Sequence, residues 1–189
     1  MAAPDPREPL CVADPGEWRS WLDQHESTSD GVWLVLAKKG TTEPTSLHYD
    51  DALDEALCSG WIDGQKRSND ELTFLQRFTP RRARSLWSAR NVDHIARLES
   101  EGRMRPAGVA QVAAAQADGR WGRAYPGSAD AVVPQELTAA LADDPAAAAR
   151  FETLTRAERF SVIIPVITAA TPELRARRLA RALEGLREG

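Results

Sequence analysis

The sequence predicts an α+β fold: a small, mostly antiparallel sheet packed with helices, followed by a C-terminal helical bundle. Three observations predict it. Strand-like segments fall at 31–39, 61–66 and 72–79, the last two joined by a polar turn at Asn69-Asp70. Helical patterns alternate with these strands without a repeating βαβ period, which argues against a doubly wound parallel sheet. From Ser85 onward every periodic segment is helical, and after Met104 Ala and Arg dominate these patterns. The chain therefore divides into a flexible arm (1–12), an α+β domain (13–104) and a helical region packed on it (105–189).

Each element has its own local reason. Asp14-Pro-Gly-Glu17 is a helix start, with Asp14 as N-cap, Pro15 in the first turn and Glu17 three residues after the cap. Trp18, Trp21 and Leu22 then form one apolar face. Gly31–Lys39 is apolar for six residues without alternation, which predicts a strand buried on both faces and central in its sheet. Tyr49–Cys58 is a short helix with Leu53, Ala56 and Leu57 inward and Asp51, Asp54 and Glu55 outward, and Gly60 follows as a C-terminal glycine. Trp61–Lys66 is a second strand with a bulge or turn at Gly64. Leu72–Thr79 is a third, stopped by Pro80. Ser88 caps a helix running to Glu101 with Gly102 as its stop, and Pro106 opens another that ends by Gly119. Pro134, Pro145 and Pro172 mark later helix starts. Thr155-Arg-Ala-Glu158 is a capping box, and Pro165 should kink or end the helix that contains it. The last helix, Pro172–Leu186, should bury Leu174, Leu179 and Leu183.

Composition limits the function. The formal net charge is −4, which disfavours nucleic-acid binding by bulk electrostatics. No apolar run approaches the roughly 20 residues of a membrane span. The first nine residues lack a secretory pattern, so a cytoplasmic location is the expectation. Cys11 and Cys58 form no CxxC pair, and with His25, His48 and His94 scattered no zinc spacing exists, so neither metal nor cofactor is expected. Motifs for nucleotide phosphates or a serine nucleophile are absent. Cys58, at the end of an amphipathic helix, reads as a small core residue.

The most informative segment is Thr73–Val92. It holds Arg77, Arg81, Arg82, Arg84 and Arg90 with no acidic residue, interleaved with Phe78, Pro80 and Trp87. Guanidinium groups beside a helix N-terminus at Ser88 suit a carboxylate or phosphate. Against this, only three of the 24 basic residues are lysine, so arginine-rich stretches arise easily here, and Asp50, Asp51, Asp54 or Glu55 could simply pair with them. Lys38 and Lys39 end the first strand, where ligand crevices often lie. Asp63 and Gln65, two apart, share one side of a strand. Asp63 is best placed to orient Arg77 across the hairpin, and otherwise to act as a general base.

These same residues carry a resemblance. Gly31-Val-Trp-Leu34, Lys38-Lys39, Ser46-Leu-His-Tyr-Asp-Asp-Ala-Leu-Asp-Glu-Ala-Leu-Cys58, Gly60-Trp-Ile-Asp-Gly-Gln65 and Gln76-Arg-Phe-Thr-Pro-Arg-Arg-Ala-Arg-Ser-Leu-Trp-Ser88 with Asn91 resemble the YdeI/OmpD-associated, or bacteriocin-protection, family. So do Gly102-Arg-Met-Arg-Pro-Ala-Gly108, Asp118-Gly-Arg-Trp121 with Tyr125, and the tail from Pro134. His48 departs from the pattern, standing where Ser or Thr would cap a helix. The resemblance implies a protection, resistance or stress-related role and brings no reaction or catalytic residue with it.

The leading expectation is a non-enzymatic binding protein for a small anionic or aromatic ligand, using one pocket between sheet and helices. Its walls would be Trp33, Trp61, Phe78 and Trp87. Its polar groups would be Lys38, Lys39, Tyr49, Asp63, Gln65, Arg77, Arg81, Arg82, Ser88 and Asn91. One alternative is an enzyme acting on a small anionic substrate with Asp63 or Tyr49 as acid/base. Others are nucleic-acid binding through the Arg77–Arg90 face and a protein partner held by the C-terminal helices.

Overall fold

The computed structural model describes residues 8–188, which form two compact units. The first comprises the residues up to Ser85 together with Asp93–Asp118, and the second Leu86–Val92 together with the residues from Gly119 onward.

The first unit holds a three-stranded antiparallel sheet made of β1 (Val32–Ala37), β2 (Trp61–Ser68) and β3 (Thr73–Pro80), in the order β1-β3-β2. The middle strand is therefore β3, which corrects the central position expected for β1. Its apolar run reflects burial on both faces. The free edge of β1 is instead closed by single backbone contacts: Leu10 N–H donates to Trp33 O, Val35 N–H to Leu10 O, and Ala37 N–H to Leu47 O. Buried edge groups need such partners. The expected bulge lies between Asp63 and Lys66, and Gln76 Nε2 donates to Gly64 O there at 2.9 Å.

Helices α1 (Pro15–His25) and α2 (Tyr49–Cys58) cover the sheet face that carries Trp61, Asp63 and Phe78. Asp14 caps α1 as its sequence predicts, its Oδ1 accepting the N–H groups of Gly16 and Glu17. Trp18 then reaches Phe78 (5.7 Å between centroids) and Trp61 (6.4 Å, edge-on), while Trp21 stacks on Trp18 and His25. Trp18, Trp61 and Phe78 are almost fully buried, and each such side chain contributes ~2–3 kcal/mol of burial free energy. Trp61 and Phe78 are thus core, not pocket wall. The later part of α3 (Ala89–Ser100) adds Ile95 and Leu98 to the unit's interior. α4 (Pro106–Ala117) crosses α2 so closely that Gly108 lies against the Cys58 carbonyl.

The second unit contains α5 (Gln135–Ala142), α6 (Pro145–Thr153), α7 (Arg156–Ile167) and α8 (Pro172–Glu188). Its core is Leu137, Ala147, Phe151, Ile163 and Leu186, with Leu179 and Leu183 packed against it. Thr155 and Glu158 form the complete capping box predicted for α7. That helix accommodates Pro165 and ends two residues later, at Ile167. Before α5, Trp87 packs edge-on against Trp121 (4.8 Å), and Tyr125 bridges to Ser88. No helix among the described residues is long and apolar enough to cross a membrane.

Candidate functional site

At one end of the sheet the chain leaves β1 through Lys38, Lys39 and Gly40, the last with φ +84°, a conformation that favours glycine. The first turn of α2 (His48, Tyr49, Asp50) and the far end of β2 (Lys66, Arg67, Ser68) close around the same space. Together with Ala37 and Phe74 they line a hollow of about 750 Å3, within the size range of small-molecule sites. All three lysines of the sequence lie on its wall, although arginine supplies the other 21 basic residues (24 − 3). Asp50 is the only carboxylate in the lining.

The cations are held in different ways. Lys38 Nζ donates to the carbonyls of Asp70 (2.6 Å) and Glu71 (3.2 Å), tying the end of β1 to the β2–β3 turn. That turn is itself organised by the Asp70 carboxylate, which accepts the N–H groups of Leu72 and Thr73. Hydrogen bonds from Thr73 and Leu72, and Lys38 nearby, hold this carboxyl below the ordinary aspartate value. Lys66 Nζ lies 4.1 Å from the Phe74 ring centroid, and the Arg67 guanidinium 4.1 Å from that of Trp33. Both are within cation–π range, which fixes a charge without neutralising it. His48, at the N-cap of α2, makes no side-chain capping bond; its Nδ1 is 3.2 Å from Ala37 O.

Beside the hollow, Tyr49 Oη donates to Asp63 Oδ2 at 2.9 Å. The register explains the pair. Asp63 stands opposite Phe78, on the helix-covered face, while Arg77 is one residue away and faces the other side. The pairing of Asp63 with Arg77 expected from the sequence is therefore replaced by Tyr49.

The structure brings Lys38, Lys39 and Tyr49 together at the hollow, with Asp63 one hydrogen bond behind. It does not add the remaining expected residues. Trp61 is in the core, Gln65 is exposed at the bulge and Arg77 is half-buried opposite Trp33. Arg81 is buried at 5% exposure, with its N–H donating to Gly60 O, and Arg82 is exposed. Trp87, Ser88 and Asn91 belong to the second unit, where Trp87 is buried and Ser88 Oγ accepts the Asn91 N–H at 3.2 Å, as the predicted cap requires. His48, Lys66, Arg67 and Phe74 were missed. Lys66 carried a readable signal: it is the one lysine outside the Lys38-Lys39 pair in an arginine-rich chain.

A second charged cluster lies on the other side of α2. Asp54 and Glu55, expected to face water, are buried at 7% and 8% exposure. Asp54 accepts both carboxylate contacts of Arg97 Nη2 at 2.7 Å and lies 2.8 Å from His94 Nδ1. Glu55 accepts from Arg103 and Arg105, each at 2.8 Å, and Arg105 continues to Asp23 at 2.9 Å. Burial works to raise the Asp54 pKa, but the hydrogen bonds from Arg97 and His94 outweigh it and hold the carboxyl low. Burial also pushes the neighbouring Cys58 thiol up to about 11, so it stays protonated at neutral pH. With every carboxylate matched to a guanidinium, this cluster is a structural lock. Among the described residues no three His, Cys, Asp or Glu side chains are grouped to hold a metal ion.

Comparison with known proteins adds family membership. No curated protein and no solved structure matches the chain. Residues 130–189 match the family described as Bacteriocin-protection, YdeI or OmpD-Associated, in agreement with the resemblance read from the sequence. Residues 10–111, which carry the hollow, match a domain of unknown function, DUF8412. That second match spans more than half of the 189 residues, and the chain therefore belongs to the DUF8412 family, with a YdeI/OmpD-associated bacteriocin-protection segment at its C-terminal end.

Proposed function

We propose that the chain is a binding protein whose first unit takes a small anionic ligand in the hollow at the end of the sheet. The observation that carries this reading is the gathering of all three lysines, with His48, around one concave space in a chain of net charge −4. Ammonium groups are compact point charges that suit a carboxylate or phosphate approached from several sides. Tyr49 and Phe74 supply aromatic surface for the rest of the ligand. The bacteriocin-protection description of the C-terminal match supports placing this binding in a protective or stress-related role.

Calorimetric titration with citrate and with inorganic phosphate tests the reading. Lys39→Gln combined with Lys66→Gln should weaken anion binding about tenfold, or ~1.4 kcal/mol, with an unchanged circular dichroism spectrum. Lys38 is left intact because it ties the turn. If neither anion binds, or the double variant binds as tightly as the parent, the reading is wrong.

A second reading rests on the Tyr49–Asp63 hydrogen bond, which places a carboxylate and a phenol in proton-transfer contact beside the hollow. In an enzyme acting on the anion, Asp63→Asn would abolish turnover while leaving anion affinity within about twofold. A nucleic-acid role through Arg77–Arg90 has less support, because Arg81 is buried and Arg77 half-buried.

A further inference from the structure

The second unit has its own concavity, independent of the lysine hollow. A groove of about 780 Å3 runs along α7 and α8. Its apolar surface comes from Leu86, Leu154, Val162, Ile164, Pro165 and Leu186. Leu86 is 41% exposed, unusual for a leucine that has an apolar neighbourhood available. Three arginines stand on the groove: Arg150, Arg178 and Arg181.

Charge decides what such a groove suits. Glu158 is the only carboxylate in the lining, and it is occupied by the capping box, accepting the N–H and the hydroxyl of Thr155 at 2.7 Å each. Arg178 is pinned by donating to Pro165 O at 2.7 Å, which fixes a guanidinium against the apolar surface. Arg150 donates to the Thr153 hydroxyl and lies near enough to Glu158 to help hold that carboxyl low, while Arg181 has no hydrogen-bond or ion-pair partner among the described residues. An apolar trough with three guanidinium groups against one carboxylate, itself engaged by the cap, complements an alkyl chain ending in an anion. A second copy of the chain fits poorly, since a two-fold contact through this face would set the arginine-rich rims against each other.

We propose that the α7–α8 groove binds a single-chain fatty carboxylate, its alkyl chain on the leucine, isoleucine and valine surface and its carboxylate on Arg150, Arg178 and Arg181. The test is calorimetric titration of the full chain with dodecanoate below its micelle concentration, beside 1-dodecanol and dodecyltrimethylammonium. Dodecanoate should bind one-to-one with a micromolar Kd, the alcohol at least tenfold more weakly, and the cation not at all. Arg150→Gln with Arg181→Gln should weaken dodecanoate about tenfold. Ile164→Glu should abolish its binding, and Leu86→Glu provides the same reading should Ile164→Glu fail to fold. Absence of saturable dodecanoate binding would overturn the proposal, as would equal binding of the cation or the alcohol. A concentration-dependent dimer, lost in Leu86→Glu and unaffected by dodecanoate, would also overturn it by assigning the groove to a second copy.

Discussion

Asp54 shows how a single buried carboxylate can set a stability limit. Taken alone, burial disfavours its charge, and only the hydrogen bonds from Arg97 and His94 reverse the balance. Its folded pKa lies below its unfolded one, so the unfolded chain binds the proton more readily. The stabilisation is complete above the ordinary carboxylate value of about 4 and is lost as pH falls through the depressed folded value. Asp54→Asn leaves Arg97 and Arg103 facing a neutral amide and should cost about 3 kcal/mol at pH 7 by urea unfolding. The difference from the parent should shrink below about pH 4. An equal difference at pH 7 and pH 3.5 would show that the carboxylate's charge is not what holds this region. None of this was visible in the sequence, where Asp54 and Glu55 sit on the polar side of a helical wheel. The arginines that bury them come from a segment some fifty residues later, which no local periodicity reports.

Among the elements, those governed by local chemistry were legible. The cap at Asp14, the capping box at Thr155–Glu158, the Asn69-Asp70 hairpin and the bulge near Gly64 all depend on residues within a few positions of one another. The order of strands was not legible, because an apolar run reports burial on both faces and says nothing of which neighbour supplies the hydrogen bonds. Helix crossings were equally hidden, and two glycines make the difference measurable. In α4, a Cβ on Gly108 would collide with the Cys58 carbonyl oxygen, so Gly108→Ala forces α2 and α4 apart. In α8, Gly185 has open space around it. Helix propensity favours alanine over glycine by about 1 kcal/mol at both positions. Gly185→Ala should therefore stabilise by roughly 0.5–1 kcal/mol. Gly108→Ala should destabilise by about 2 kcal/mol, since backbone cannot give way as a side chain can. Thermal unfolding of the two variants gives opposite signs if close packing, and not propensity, governs the α2–α4 crossing.

For the molecule as a whole, the lysine hollow was half legible. Lys38, Lys39 and Tyr49 could be nominated from strand and helix ends, but Lys66 joins them only because β2 runs antiparallel to β3 and returns its far end to the same end of the sheet as the exit of β1. The arginine segment misled because only Arg77 lies in a strand: Arg81, Arg82 and Arg84 follow β3 in a loop, where Arg81 turns inward and Arg82 and Arg84 stay exposed. The net charge of −4 then makes the hollow a local exception that long-range attraction does not assist. Anion binding there rests on the local cations, and because the site opens to solvent those attractions weaken as added salt shortens the Debye length below about 10 Å. Citrate affinity should therefore fall about tenfold between low salt and 0.3 M sodium chloride. The melting midpoint should change less, because the carboxylates of Asp54 and Glu55 are buried and held by direct hydrogen bonds to their arginines. Citrate binding insensitive to salt would place the anion away from this solvent-open hollow.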